Sequence, residues 1–209
     1  MALIKQKSAT VSEVRGSSAK RDRRVVRTRQ QIDAAFVELL HRRPYGSIRV
    51  SDITKKAGVG RATFYAHYSS KDNLLSSQFR RIVAPMLVAQ PHAPCPLDAT
   101  AFFAHVQTSP RIYRALMGPE AGKAPRILRE CIEWRVGQSL GEGDPQPGAD
   151  GFDMQEAIGA RFVATSLLAV IECWVESKAC DPPQGLQAIF SKLVGGGLAV
   201  LGVGEPKTV

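Results

Sequence analysis

Cysteine, tryptophan and histidine are all scarce: 209 residues hold four Cys, two Trp and four His. Cys95, Cys131, Cys173 and Cys180 include no C-x-x-C pair, so their spacing supports neither a zinc site nor a disulfide framework. Free thiols in a reducing compartment are expected. The histidines are scattered over different segments. There is no H-E-x-x-H, no G-x-S-x-G and no phosphate-loop glycine run. An enzyme needs a convergent acid–base or nucleophile set, so no catalytic activity, metal or cofactor is expected. Long apolar runs are also missing. "FVATSLLAVI", with "CWV" after Glu172, falls short of the ~18 clean residues of a membrane span. The N-terminus lacks the apolar core of a signal peptide. A soluble cytoplasmic protein without a membrane partner follows as the expectation. No segment alternates with period two for long enough to make a strand, so an all-α chain is expected.

Acidic residues are rare in the first 80 positions. That stretch holds 17 of the 28 Lys and Arg but only 6 of the 19 Asp and Glu. The overall charge of +9 therefore belongs to the N-terminal part, and the remainder is slightly acidic. Such asymmetry fits a polyanion-binding head on a neutral body.

Residues 1–24 are polar, basic and without apolar periodicity, as a disordered arm would be. Residues 25–88 read as a helical head with a connecting helix. Ile32, Phe36, Leu39 and Leu40 form one helical stripe, with Thr28 as its cap. "PYGS" breaks the chain at 44–47. In "IRVSDITKKAG" Val50, Ile53 and Ala57 share a face, and Gly58 ends the helix. "VGRATFYAHY" is a second short helix. Ser69 and Asp72 then have capping-box spacing for a helix reaching to about residue 88. The proline-rich "AQPHAPCP" separates residues 89–209. There helices are expected near 97–108, 110–117, 120–140, 152–179 and 183–201. Ser109 and Asp181 stand before prolines as caps.

Two short helices joined by a glycine turn and preceded by a third make a helix-turn-helix. In the second short helix Phe64 and Tyr68 share a face that can pack on Ile32, Phe36 and Ile53. Arg61, Ala62 and Tyr65 then point outward together, flanked by Thr63 and His67. A tyrosine hydroxyl and an imidazole N–H can both donate to phosphate oxygens. Lys71 sits in the first turn of the next helix, where an anion is favoured.

"DITKKAGVGRATFYAHYSSKDNLL" resembles the DNA-binding signature of the TetR/AcrR family of bacterial transcriptional regulators, over roughly residues 28–80. The resemblance implies a homodimer on double-stranded operator DNA, with one helix-turn-helix per subunit. It implies an effector-binding body whose last two long helices form the dimer interface, and repression as the usual mode. By similarity Arg61, Ala62 and Thr63 face base edges, while Tyr65, His67, Lys71 and the helix start around Ser51 contact the backbone. Arg49 stands where the family often has a threonine cap.

Residues 152–179 are apolar nearly all round, so one side is expected in the core and the other against a second subunit. Phe162, Leu167, Val170 and Trp174, with Phe190 of the last helix, are the expected dimer contacts. Phe102, His105, Tyr113, Trp134 and Phe162 are the expected lining of a pocket for a small, mostly hydrophobic effector of unknown identity. The competing reading is a sequence-nonspecific, nucleoid-type DNA-binding protein with no effector.

Overall fold

The computed structural model describes residues 5–90, 93–140, 154–177 and 181–201. Helix α1 spans Lys5–Leu40, α2 Val50–Ala57, α3 Arg61–His67 and α4 Lys71–Gln78. The chain continues from α4 through a π turn (Phe79–Val83) and a 3-10 turn (Ala84–Met86). Then come α5 (Thr100–Thr108), α6 (Pro110–Met117), α7 (Ala124–Leu140), α8 (Met154–Ser177) and α9 (Pro183–Leu201). The expected all-α head and body are therefore present. Two-residue strands β1 (Val88–Ala89) and β2 (Leu97–Asp98) pair antiparallel and pin the two ends of the proline-rich loop.

Several boundaries differ from expectation. The arm expected over residues 1–24 is helical from Lys5 onward, and Thr28 lies inside α1 instead of capping it. Periodicity missed this because an extension needs no apolar face once the docked half of a helix has met the nucleation cost. Ser70, not Ser69, caps α4, its Oγ accepting from the Asn73 N–H at 3.0 Å. Asp72 is engaged elsewhere, accepting the Tyr45 hydroxyl. Ser109 precedes α6 without a side-chain cap bond. At α2 the cap position is Arg49, whose side chain cannot accept. Asp52 supplies the other half of a capping box, its Oδ2 taking the Arg49 N–H at 2.8 Å. Gly58 ends α2 at φ 65°, a left-handed conformation in which a Cβ would be strained.

One apolar core runs from Ile32 through the body to Leu198. The head enters it through Ile32, Phe36, Ile53, Phe64 and Tyr68, all buried. Each such side chain contributes about 1.5–3 kcal/mol by leaving water, which fixes how α2 and α3 sit on α1. The helix α8 packs on α7, α6 and α9. By length and composition it could cross a membrane, where the apolar run had looked too short. Half of that stretch is buried inside the fold, which makes it a core helix.

Candidate nucleic-acid interface and the cavity behind it

The rings of α3 divide as their spacing requires. Phe64 and Tyr68 are buried, while Arg61, Ala62, Thr63 and Tyr65 are exposed. Tyr65 is 55% exposed, with its ring edge-on to Phe64 at 5.5 Å. His67 is half-buried beside the Tyr68 ring, and Ser51 is half-buried in the first turn of α2. So α3 presents arginine, two small residues and a tyrosine from a rigid, core-anchored strip.

Lys71 is placed otherwise than a phosphate contact would be. Its Nζ donates to the Tyr45 carbonyl at 2.8 Å and the Ile48 carbonyl at 2.7 Å, and lies over the Tyr45 ring at 4.0 Å. Burial lowers its pKa below the ordinary lysine value. The ammonium ties the turn at Tyr45–Ser47 to the start of α4, so two of its three donors are engaged inside the protein in this geometry.

The end of α3 is wired into the connecting helix. Tyr68 donates its hydroxyl to Asp33 Oδ1 at 2.6 Å and accepts from Arg29 Nε at 3.1 Å. Burial, then the Asp33 carboxylate, raises the Tyr68 pKa. Arg81, in the π turn, donates to Asp33 Oδ2 at 2.6 Å and to Gln78 Oε1 at 3.1 Å. A second junction lies at Gly46, whose N–H donates to the Glu120 carbonyl at 3.0 Å, in the loop between α6 and α7.

Behind the head lies a cavity of about 220 Å3 between α1, α4, α5, α6 and α7. His105 and Tyr113 are among its lining residues. Burial lowers the His105 pKa and raises that of Tyr113. Phe102 is packed behind the wall, edge-on to Phe79 and Tyr113. Trp134 does not line it and instead stacks under the Arg80 guanidinium at 4.8 Å. Phe162 faces a different hollow, of about 530 Å3, between α8 and α9. The pocket therefore lies at the seam of head and body and not at the centre of the body. Sequence reasoning missed the α1 wall (Phe36, Leu40, His41) and Gln78. Gln78 sits among Ser76, Ser77, Arg80 and Arg81, so nothing in the sequence singled it out.

The expected dimer residues also divide. Phe162, Val170 and Trp174 line the α8/α9 hollow. Leu167 and Phe190 are fully buried within the subunit, Phe190 edge-on to Phe103, so they belong to the core and not to an interface. The exposed apolar residues beside the hollow are Ile189 and Leu193, about half exposed and one turn apart on α9. Ile158 of α8 is exposed to a similar degree.

A helix pair set on a third helix, with a polar face clear of the core, defines a helix-turn-helix protein. Residues 32–77 match the profile of "Bacterial regulatory proteins, tetR family". The HTH-type transcriptional regulator YxbF of Bacillus subtilis is 45% identical over 67 residues, 32% of this chain and 18% of that protein. The chain thus matches under a fifth of that relative's length. An HTH-type transcriptional regulator of Mycobacterium tuberculosis is 27% identical over 152 residues, covering 66% of this chain and 69% of its own. Among solved structures, a TetR transcriptional regulator from Streptococcus agalactiae superposes with a TM-score of 0.59 at 22% identity, over 85% of this chain and 98% of that one. Another from Rhodococcus gives 0.51 at 16% identity, over 83% and 96%. Residues 32–77 thus carry a DNA-binding segment similar to that of the TetR family of bacterial regulatory proteins, on a chain whose fold resembles TetR regulators of known structure.

Proposed function

We propose that this chain is a cytoplasmic homodimeric repressor that binds a two-fold symmetric operator and leaves it when a small effector binds. It is not an enzyme on this reading. The supporting observation is the split of α3: Phe64 and Tyr68 anchor it in the core, and Arg61, Ala62, Thr63 and Tyr65 are left to face outward. A core-docked helix with one exposed polar face suits insertion in a major groove. In this reading Arg61 reads a guanine edge, Ala62 and Thr63 lie against neighbouring base edges, and Tyr65, His67 and Ser51 meet the phosphate backbone. Lys71 positions the turn before α2. The two subunits meet through the α8/α9 face around Phe162, Val170, Trp174, Ile189 and Leu193.

Footprinting on its own genome, followed by titration of the protected fragment against competitor DNA at fixed salt, tests this. A preference of a thousandfold order for the fragment is expected of a specific regulator. Equal affinity for both DNAs would replace the reading with a nucleoid-type binder.

A further inference from the structure

Two guanidiniums share one buried carboxylate at the end of α3. Asp33 is 6% exposed and carries a single negative charge. Arg81 takes its Oδ2 in a direct ion pair at 2.6 Å. Its Oδ1 accepts the Tyr68 hydroxyl, also at 2.6 Å. Arg29 is left with the other side of that hydroxyl. Its Nε donates to Tyr68 Oη at 3.1 Å, and its guanidinium carbon lies 5.8 Å from the ring centre. Among the described residues no carboxylate forms an ion pair with Arg29, so two cations meet one anion and the surplus charge is on Arg29.

That surplus is held in place and open to solvent. Arg29 is exposed, and neither of its Nη atoms bonds to any described residue. The bond from Nε to a buried phenol fixes the base of the guanidinium and leaves its end-on fork of N–H groups outward. Such a fork matches the oxygens of a phosphate, and less ordering remains to be done when it binds.

The position is set by α3. Its seven residues make it about 10 Å long, against a major groove about 12 Å wide. With the first residues of such a helix at the base edges, its last residues come up against the backbone. Tyr68 follows the last residue of α3, and the His67 ring lies 6.4 Å from its ring. Arg29 and His67 therefore both stand against Tyr68, at the end where the chain leaves the groove. We propose that Arg29 of α1 is a DNA phosphate-binding residue, with Tyr68 and Asp33 as the positioning residues that aim it. This rests on the reading of α3 as the helix that meets DNA.

The test is the slope of log K against log salt for the full chain on mixed-sequence duplex DNA. Arg29→Gln removes the charge and keeps a donor for Tyr68. It should lower the slope by about one unit, so its disadvantage against wild type shrinks about fourfold between roughly 50 and 200 mM salt. Arg29→Lys keeps the charge and should keep the wild-type slope. A purely structural bond to Tyr68 would move the slope in neither variant. Should Arg29→Gln not fold, the wild-type Arg29 guanidinium resonances decide, since added duplex should shift them. An unchanged slope in Arg29→Gln, an equal loss in Arg29→Lys, or resonances unmoved by duplex would each overturn the proposal. The fragment protected in footprinting is titrated beside the same duplex. A wild type that prefers the fragment while Arg29→Gln keeps its slope loses only this inference. One that binds both DNAs equally, with the slope lowered in Arg29→Gln, loses the regulator reading and keeps Arg29 on the backbone.

Discussion

Two cations of the head, Arg61 and Lys71, meet opposite surroundings. Arg61 is exposed at the start of α3, and Lys71 is folded onto two carbonyls. Arg61→Ala is expected to weaken operator binding by about 1–3 kcal/mol and to relax one base preference. An equal loss on competitor DNA would instead make Arg61 a phosphate contact. Lys71→Met is expected to leave the slope of log K against log salt unchanged while lowering the melting temperature, at a cost of about 1–3 kcal/mol. A slope reduced by about one unit would place the ammonium on a phosphate after all. Its sequence position suggested the phosphate, since a lysine in a first helical turn is well placed for an anion. Nothing in the spacing showed that the turn at Tyr45–Ser47 folds beneath it. Buried phenols supply the pH dependence. Burial raises the pKa of Tyr45, Tyr68 and Tyr113. The folded protein therefore keeps these protons while the unfolded chain gives them up near pH 10. These three phenols leave stability unchanged below that pH and lower it as pH rises through it, a loss read by chemical denaturation at stepped pH. The Tyr45→Phe variant should lose less in that range, and an identical alkaline loss would remove Tyr45 from the account.

The helices were easier to foresee than their contacts. Gly58 and Pro110 mark element ends as their backbone chemistry demands, because one adopts a positive φ and the other needs no N–H partner in a first turn. Glycines that permit close approach carry no such mark. A Cβ on Gly46 would stand 2.4 Å from the Glu120 carbonyl oxygen, and one on Gly197 in α9 would stand 2.4 Å from the Phe162 ring. Glycine within a helix costs about 1 kcal/mol relative to alanine, so "GGG" at 195–197 works against the helix that holds it. In the fold it lets Phe162 lie close on α9. Gly46→Ala should force the head turn off the α6–α7 loop and cost roughly 1–3 kcal/mol in a thermal melt. Gly60→Ala is the matched control, since its Cβ would meet nothing closer than 4.0 Å. If both variants melt alike, the close approach at Gly46 is not tight in solution. The seam cavity escaped notice for a related reason. Periodicity identifies apolar residues, but Phe36 and Leu40 look the same whether they fill a core or wall a hollow.

The assembled molecule is tested best on α9. Trp174 is 8% exposed and belongs in part to the subunit's own core, so a charge there would confuse unfolding with dissociation. Ile189 and Leu193 are half exposed, and the subunit does not need them. Ile189→Glu with Leu193→Glu is expected to sediment as a monomer at micromolar concentration with its helicity intact. Its operator affinity should fall toward the non-specific value, because a lone head keeps half the contacts. A double variant that stays dimeric puts the interface elsewhere. Inward Leu167 and Phe190 and outward Ile189 and Leu193 are all equally apolar in sequence, and only the packing of α8 on α9 tells them apart. The π turn at Phe79–Val83 sets the rotational phase between the helix before it and the chain after it. There Ala84 N–H reaches back five residues to the Phe79 carbonyl, so the chain carries one residue beyond what an α-helix of that rise holds. The helix before it and the helix after it are out of phase by about 100°. Leu74, Leu75 and Gln78 face inward on the first phase, and Val83, Ala84 and Leu87 on the second. Removing one residue from this turn would leave Leu74, Leu75 and Gln78 in register with the head and rotate Val83, Ala84 and Leu87 out of the core together.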